Sequence, residues 1–187
     1  MAIREIWNEI ETTLRRVAPK FSLPRGASTE GIAASEQALG IQLPADYRES
    51  VAIHDGTGSY LLYDSELRPL RSVVETQRRY LDLVRDPPPI PASESMRISG
   101  PVRAQHWSPK WIPIARTTSA NTILLDLDPA DGGSIGQVVH ISRELSEVEV
   151  LSSSFGAWIA DFCEELVAGR FEIRVFNGDV MELERRV

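Results

Sequence analysis

The residues best suited to acid–base chemistry in this sequence are a histidine and an aspartate side by side, His54 and Asp55. An imidazole beside a carboxylate can move a proton near neutral pH, and His106 or His140 could complete such a site. The sequence contains no H-x-x-x-H or C-x-x-C spacing that would bring metal ligands together. His54 lies at the inner end of a predicted helix and His140 lies in an apolar strand, so packing is the favoured interpretation for both.

A segment rich in aspartate, Asp126 to Gly132, resembles a calcium-binding loop at first. Such a loop closes with a glutamate at its twelfth position, and Gln137 stands there instead. We therefore predict a strand that ends in a turn whose side chains accept backbone N–H groups, with an exposed acidic rim as the alternative. The glycines that follow lack the Lys-Ser/Thr pair of a phosphate-binding loop and are predicted to be turn residues.

The sequence offers no clear catalytic nucleophile. It has no G-x-S-x-G motif, and Cys163 lies beside Phe162 in an apolar helix, where a thiol usually packs without reacting. Trp107 and Trp111 are equally consistent with an exposed aromatic platform and with burial at the start of a strand. Glu164 and Glu165 are predicted to be solvated. No enzyme activity, cofactor or metal site is therefore predicted.

Composition narrows the class of protein. The chain has 187 residues, one cysteine and a formal net charge of −7 at pH 7. This length suits a single domain, and a lone cysteine suits a reducing compartment, so we expect a cytoplasmic protein. Neither a membrane span nor a signal peptide is predicted. The acidic balance disfavours nucleic acid and favours a basic protein partner, while the oligomeric state stays open.

The spacing of apolar residues predicts an α+β fold. Three apolar runs, separated by turn-forming residues, predict an antiparallel meander: Trp111–Ala115, Thr122–Leu127 and Gln137–Ile141. A further strand is predicted over Glu147–Leu151. We expect a single domain with a central mixed or antiparallel sheet that is flanked by helices. Another strand is predicted over Ser59–Tyr63, and an irregular loop over residues 86–100.

The flanking helices follow from apolar periodicity and from capping residues. They are predicted over residues 3–17, from Ser28 or Thr29 to Leu39, from Pro44 to His54, from a capping box at Ser72 to about Val84, and from Ser153 or Ser154 to Gly169. The C-terminal segment alternates apolar and polar residues on both sides of Asn177-Gly178, which is a strong signal for a β-hairpin.

Several motifs, taken in order, resemble one family. They are Ile32-x-x-x-Glu36-x-x-Leu39-Gly40-x-x-Leu43-Pro44-x-Asp46-Tyr47-Arg48, His54-Asp55-Gly56, Trp107-x-x-x-Trp111-Ile112-Pro113-Ile114-Ala115, Asp126-Leu127-Asp128-Pro129-Ala130-x-Gly132-Gly133-x-x-Gly136-Gln137-Val138 and Ser154-Phe155-x-x-Trp158. The set resembles the SMI/KNR family of the SUKH superfamily, which includes fungal regulators of cell-wall synthesis and bacterial proteins that neutralise toxins. The resemblance implies a non-catalytic α+β binding domain over residues 1–170, with residues 171–187 as a β-hairpin extension of the same domain.

Three hypotheses for function follow. The first is a cytoplasmic immunity protein that covers the active site of a basic toxin domain. The alternative is a regulatory scaffold in cell-wall synthesis or signalling, and the third is a hydrolase or nucleotide-binding enzyme that uses His54, Asp55 and His106. The predicted partner contacts are four acids and one aromatic anchor: Asp55, Glu66, Asp126, Asp131 and Trp107.

Overall fold

The computed structural model describes residues 1–85, 97–105, 107–142 and 147–186. Within these ranges the helices are α1 (Ile3–Val17), α2 (Thr29–Leu39), α3 (Ala45–Ile53), α4 (Leu70–Arg85) and α5 (Phe155–Val167). The strands there are β1 (Ser65–Leu67), β2 (Arg97–Ser99), β3 (Trp111–Thr117), β4 (Thr122–Asp126), β5 (Gln137–Ser142), β6 (Glu147–Ser152), β7 (Phe171–Phe176) and β8 (Asp179–Arg185). No helix in the described part of the chain is both long enough and apolar enough to cross a membrane.

The central sheet confirms the predicted α+β class and its meander. Its strand order is β1-β3-β4-β5-β6-β2, and β3 to β6 pair antiparallel, each with the next strand in sequence. The sheet is mixed because β2 pairs parallel with β6. The loop predicted over residues 86–100 is therefore wrong at Arg97–Ser99, and residues 86–96 lie outside the described ranges.

Both faces of the sheet carry buried residues. Alternate residues of a strand point to opposite sides, so neighbouring residues pack in different clusters. One face carries Ile123, Leu125 and Val138 and packs in the main core, together with α1 and α5. The other face carries Leu124 and Val139 and forms a second cluster with Trp111, Val102 and Val148. Burying each of these aliphatic side chains contributes about 1.5–3 kcal/mol, so both faces stabilise the sheet.

Most predicted helix ends are confirmed by the hydrogen bonds of the capping residues. Ser28 Oγ accepts the Gly31 N–H at 3.1 Å at the start of α2, and Ser154 Oγ accepts the Ala157 N–H at 3.1 Å at the start of α5. Gly40 ends α2 at a φ of 68°, a left-handed conformation that glycine adopts without a steric penalty.

The start of α4 differs from the prediction. The helix begins at Leu70, whose N–H donates to Asp55 Oδ1 at 2.7 Å, and Glu75 pairs with Arg71 at 2.9 Å. The capping box predicted at Ser72 is therefore wrong. The capping carboxylate comes from the segment that follows α3, a tertiary contact that local sequence patterns do not show.

The strand predicted over Ser59–Tyr63 is also wrong. Tyr63 and Asp64 have positive φ values of 49° and 67°, and Leu62 and Ser65 exchange backbone hydrogen bonds across a tight turn. The strand β1 starts only after this turn. Leu61 and Leu62 are fully buried, so burial rather than strand pairing accounts for their apolar character.

The C-terminal hairpin is confirmed. β7 and β8 pair antiparallel around Asn177 and Gly178, which have φ values of 53° and 84°, as a type I′ turn requires. Phe171 and Leu183 extend into the main core, and the Lys20 N–H donates to the Gly178 carbonyl oxygen at 2.9 Å. The hairpin therefore packs against the body of the protein.

We predict that Asp55→Ala destabilises the protein by about 1 kcal/mol, since α4 loses its N-terminal acceptor. Asp55→Asn keeps an acceptor oxygen and should retain most of the stability. Urea unfolding of both variants measures this difference. Equal midpoints for Asp55→Ala and the parent protein would show that Asp55 does not stabilise α4.

Candidate functional site

A cleft of about 440 Å³ opens between α5 and the sheet face that α5 covers, at the end where β1 and β3 meet. Its walls come from the turn before β1, from β3 to β6, from α5 and from β8. The residues that give it chemical character are Tyr63, Asp64, His140, Trp158, Asp161, Glu165 and Arg185. We call this site the acidic cleft.

The floor of the acidic cleft is aromatic. The Tyr63 ring packs edge-on against Phe162 at 5.3 Å between ring centroids, and it lies 6.2 Å from Trp158 and 6.0 Å from Phe171. The left-handed conformation of Tyr63 turns the chain at this point, just before β1. Three core aromatic rings hold Tyr63, so the floor is a fixed apolar surface.

Carboxylates surround this floor. Asp161 and Glu165 lie one turn apart on α5, and Asp64 lies across the cleft next to β1. Glu165 Oε1 accepts from Arg185 at 2.7 Å, while its Oε2 atom is buried and has no hydrogen-bond partner in the described part of the chain. The cleft therefore contains an acceptor oxygen that protein groups leave unsatisfied, a state that is costly for a buried carboxylate.

The pKa shifts show the same negative environment. Burial raises the pKa of the Tyr63 phenol well above its usual value, and the charges of Glu165 and Asp161 raise it further. Burial also raises the pKa of Asp64, against the lowering effect of hydrogen bonds from Thr118 and Ser65 and of the nearby His140. A cation entering the cleft would reduce the unfavourable free energy of these carboxylates.

A lysine or arginine side chain fits this arrangement. Its charge would face the carboxylates, and its carbon chain or guanidinium plane would lie on the Tyr63 and Trp158 rings. The described residues contain no group of three or more His, Cys, Asp and Glu side chains placed to hold a metal ion. The acidic cleft has the features of a binding site for a basic group.

The predicted acid–base pair has structural contacts instead. His54 Nδ1 lies 2.8 Å from the Pro24 carbonyl oxygen, and its ring packs edge-on against Trp7 at 5.2 Å. This confirms His54 as a packing histidine, while Asp55 caps α4. The role proposed for His106 falls on a residue outside the described ranges.

Two predicted partner contacts lie on the sheet face opposite the acidic cleft. Glu66 forms an ion pair with Arg116 in which Nε at 2.8 Å and Nη2 at 2.7 Å both donate to the same oxygen, Oε2. Trp107 is half-buried, stacks on Tyr80 at 4.0 Å, and donates to Gln77 at 2.9 Å. Their contact with a partner stays a prediction.

Asp126 is not on the surface, so its predicted place on an exposed rim is wrong. Its side chain is 0% exposed and accepts three hydrogen bonds: from Trp111 Nε1 at 3.1 Å, the Asp128 N–H at 3.0 Å and Gln137 Nε2 at 3.1 Å. Burial raises its pKa, and these donors oppose the shift. The turn interpretation of this segment is confirmed.

Asp131 is exposed, and its contact with a partner stays a prediction.

None of the predicted partner contacts lines the acidic cleft. The spacing of Asp161 and Glu165, one helical turn apart, was a signal for a shared acidic face, but Glu165 was predicted to be solvated. The Glu165 side chain is only 18% exposed because it lies against the hairpin and Arg185.

Cys163 is buried, with its thiol 3.8 Å from the Ile6 carbonyl oxygen, and burial raises the pKa of the thiol. This confirms the predicted packing role of Cys163.

The helices and the mixed sheet together define an α+β domain, with the acidic cleft between α5 and the sheet. Residues 26–161 match the model of the SMI1 / KNR4 family (SUKH-1), and the chain belongs to this family. The hairpin of β7 and β8 lies outside the matched residues.

Three of the relatives among curated proteins are named as regulators. The chain is 25% identical over 221 residues to a glucan synthesis regulatory protein of Neurospora crassa, covering 96% of this chain and 41% of the relative. It is 24% identical to a cell wall biosynthesis/cell cycle regulator of Schizosaccharomyces pombe, covering 78% of this chain and 32% of the relative. It is 23% identical to the cell wall assembly regulator of Saccharomyces cerevisiae, covering 78% and 36%. The chain thus spans less than half the length of these relatives.

We predict that Asp126→Ala destabilises the protein by about 3 kcal/mol, because two buried side-chain donors and one partly buried N–H lose their acceptor and each loss costs about 1 kcal/mol or more. Asp131→Ala, at an exposed aspartate of the same turn, is the control and should leave stability unchanged. Denaturant unfolding of both variants checks this. Similar midpoints for the two variants would contradict the buried network.

We also predict a pH-dependent effect of Asp64→Asn. Because burial raises the folded-state pKa of Asp64 above its ordinary value of 3.8, the folded protein binds this proton more tightly than the unfolded chain. Its contribution to stability is present below the unfolded pKa and is lost as pH rises through the folded pKa. The asparagine side chain carries no charge, so the variant should be more stable than the parent at neutral pH, where Asp64 is ionised, and the difference should shrink in acid. Asparagine also tolerates the positive φ at this position.

Thermal unfolding of Asp64→Asn and of the parent protein at neutral and acidic pH measures this effect. Asp161→Asn, at an exposed acid of the same cleft, is the control. A stability difference that grows as pH falls would contradict the assignment.

Proposed function

We propose that this chain is a non-catalytic regulatory domain that acts in the control of cell-wall synthesis by binding a protein partner. In this proposal a basic segment of the partner enters the acidic cleft. The observation that carries it is the pair of carboxylates over an aromatic floor, Asp161 and the unsatisfied oxygen of Glu165, in a family whose relatives above are named regulators.

The energetics favour a cleft over an open acidic surface. An exposed ion pair contributes about 0–1 kcal/mol, because water screens the charges. In the cleft, a cation would lie between the side chains of Asp161 and Glu165 and an aromatic ring, partly shielded from water, where the interaction is stronger. The net charge of −7 would also accelerate the approach of a basic partner.

The regulatory hypothesis replaces toxin neutralisation as the leading one. Both hypotheses involve a basic protein partner, but the relatives described above are named for glucan synthesis and cell-wall control. Action without catalysis and a cytoplasmic location belong to this proposal. The enzyme hypothesis has lost its support at His54 and Asp55, which pack against the backbone and cap a helix.

Binding of a fluorescent arginine-rich peptide to the full chain tests the cleft. We expect Asp161→Lys to weaken binding by about tenfold, since it reverses a charge at the mouth of the cleft. Glu164→Lys makes the same charge change at the next exposed acid of α5, outside the cleft lining, and should bind almost as well as the parent. Anisotropy titrations give both affinities.

Equal losses for the two lysine variants would show that binding follows net charge alone and would remove the cleft from the proposal. The regulatory role has a separate test, which is deletion of the gene in its own organism. Cell-wall glucan content should change, and the parent chain should restore it while Asp161→Lys should not. Unchanged glucan, together with a stable complex with the product of an adjacent toxin gene, would instead support the immunity hypothesis.

A further inference from the structure

Three arginines come together on the sheet face opposite the acidic cleft, where α4 packs against β3. Arg116 in β3 pairs in register with Thr122 of β4, and the Thr122 hydroxyl lies 3.1 Å from the Tyr80 hydroxyl of α4. The Arg79 guanidinium lies 6.0 Å from the centre of the Tyr80 ring. The backbone N–H of Arg68 donates to the Ile114 carbonyl oxygen at 2.8 Å, which fixes the backbone of Arg68 beside β3. We call Arg68, Arg79 and Arg116 the arginine cluster.

The positive charge of this cluster is only partly neutralised. Glu66 pairs with Arg116, whereas neither Arg68 nor Arg79 forms a salt bridge within the described part of the chain. The acids nearby on α4 are paired elsewhere, Glu75 with Arg71 and Asp82 with Arg85. A local excess of positive charge thus exists in a chain whose net charge is −7.

Arg68 is the residue for which this arrangement is least favourable. Its Nε atom is buried and has no hydrogen-bond partner among the described residues. Burial lowers the pKa of Arg68, the charges of Arg116 and Arg79 lower it further, and Tyr80 and Glu66 oppose the shift. A buried donor without an acceptor, close to like charges, is stabilised by an incoming anion.

The chemistry of the cluster selects the class of anion. Guanidinium groups present planar pairs of N–H donors that match the oxygens of a phosphate, and several arginines around one group are typical of phosphate recognition. The Arg116 side chain is 48% exposed, so a ligand can reach the cluster from solvent. The stacked rings of Tyr80 and Trp107 form an apolar wall that can contact the group carrying the phosphate.

We propose that the arginine cluster is a binding site for a phosphate monoester. The ester is carried either by a small molecule or by a phosphorylated side chain of a partner. Arg68 and Arg79, which form no salt bridge within the described part of the chain, supply positive charge, and Arg116 is shared between Glu66 and the phosphate. The site is separate from the acidic cleft, because it lies on the other face of the sheet and shares no lining residue with the cleft.

Calorimetric titration of the full chain with inorganic phosphate and with phenyl phosphate tests this site, with sodium chloride at the same ionic strength as the reference. We expect both phosphates to bind and Arg116→Gln to lose about tenfold in affinity. Glu66→Gln should bind more tightly than the parent, because it removes the carboxylate that competes for Arg116. A merely structural arginine would not produce opposite changes in these two variants.

Arg48→Gln is a matched control. Arg48 is 46% exposed and pairs with Glu36, which is 17% exposed, against 48% for Arg116 and 18% for Glu66. Phosphate binding should be unchanged in this variant and in Asp161→Lys. A peptide that carries phosphotyrosine separates the two sources of the ester: tighter binding of this peptide than of phenyl phosphate would assign the site to a phosphorylated side chain, and equal or weaker binding would assign it to a small phosphate ester.

The proposal is overturned if neither phosphate binds above the chloride reference, or if Arg48→Gln loses as much affinity as Arg116→Gln. Arg68→Gln should also lose about tenfold in affinity. Because Arg68 is half-buried, its variant is interpreted only alongside Arg116→Gln, whose side chain is exposed enough to be replaced without disturbing the core.

Discussion

A single buried carboxylate holds together one end of the central sheet. Asp126 receives hydrogen bonds from an indole, an amide side chain and a backbone N–H, and through them it connects β3, β4 and β5. Gln137 extends the network, since its side chain also donates to the Pro101 carbonyl oxygen and accepts the Ser134 N–H. A charge in the interior is tolerated only when its oxygens are satisfied in this way. One acidic side chain thus links three adjacent strands of the meander at this end of the sheet.

The opposite end of the sheet is organised by conformation rather than by charge. The left-handed residues Tyr63 and Asp64 end the segment after α3 and start β1, which places a phenol ring and a carboxylate beside α5. The same turn gives the acidic cleft its floor and one of its acids. Positive φ at residues other than glycine carries a strain that the surrounding aromatic packing must offset.

Local sequence patterns predicted the elements well and the site poorly, for physical reasons. The caps at Ser28 and Ser154 and the Asn177-Gly178 turn depend on residues within a few positions of each other, so the sequence shows them directly. The cap of α4 by Asp55 and the burial of Asp126 depend on segments that meet only in the fold. The acidic cleft is lined by residues from α5, β8 and the turn before β1. These segments are far apart in the sequence, so no local spacing of residues predicts that they lie together.

The shortness of β1 has a consequence for the two surfaces on either side of the sheet. Neighbouring residues of this three-residue edge strand lie on opposite faces of the sheet. Ser65 lines the acidic cleft, whereas Glu66 forms an ion pair with Arg116 of the arginine cluster. A slip of β1 by one position would exchange these side chains between the faces. Among the strands that the structure describes, only β3 pairs with β1, so few backbone hydrogen bonds hold the alignment of β1. A displacement of β1 would therefore move residues of both surfaces at once.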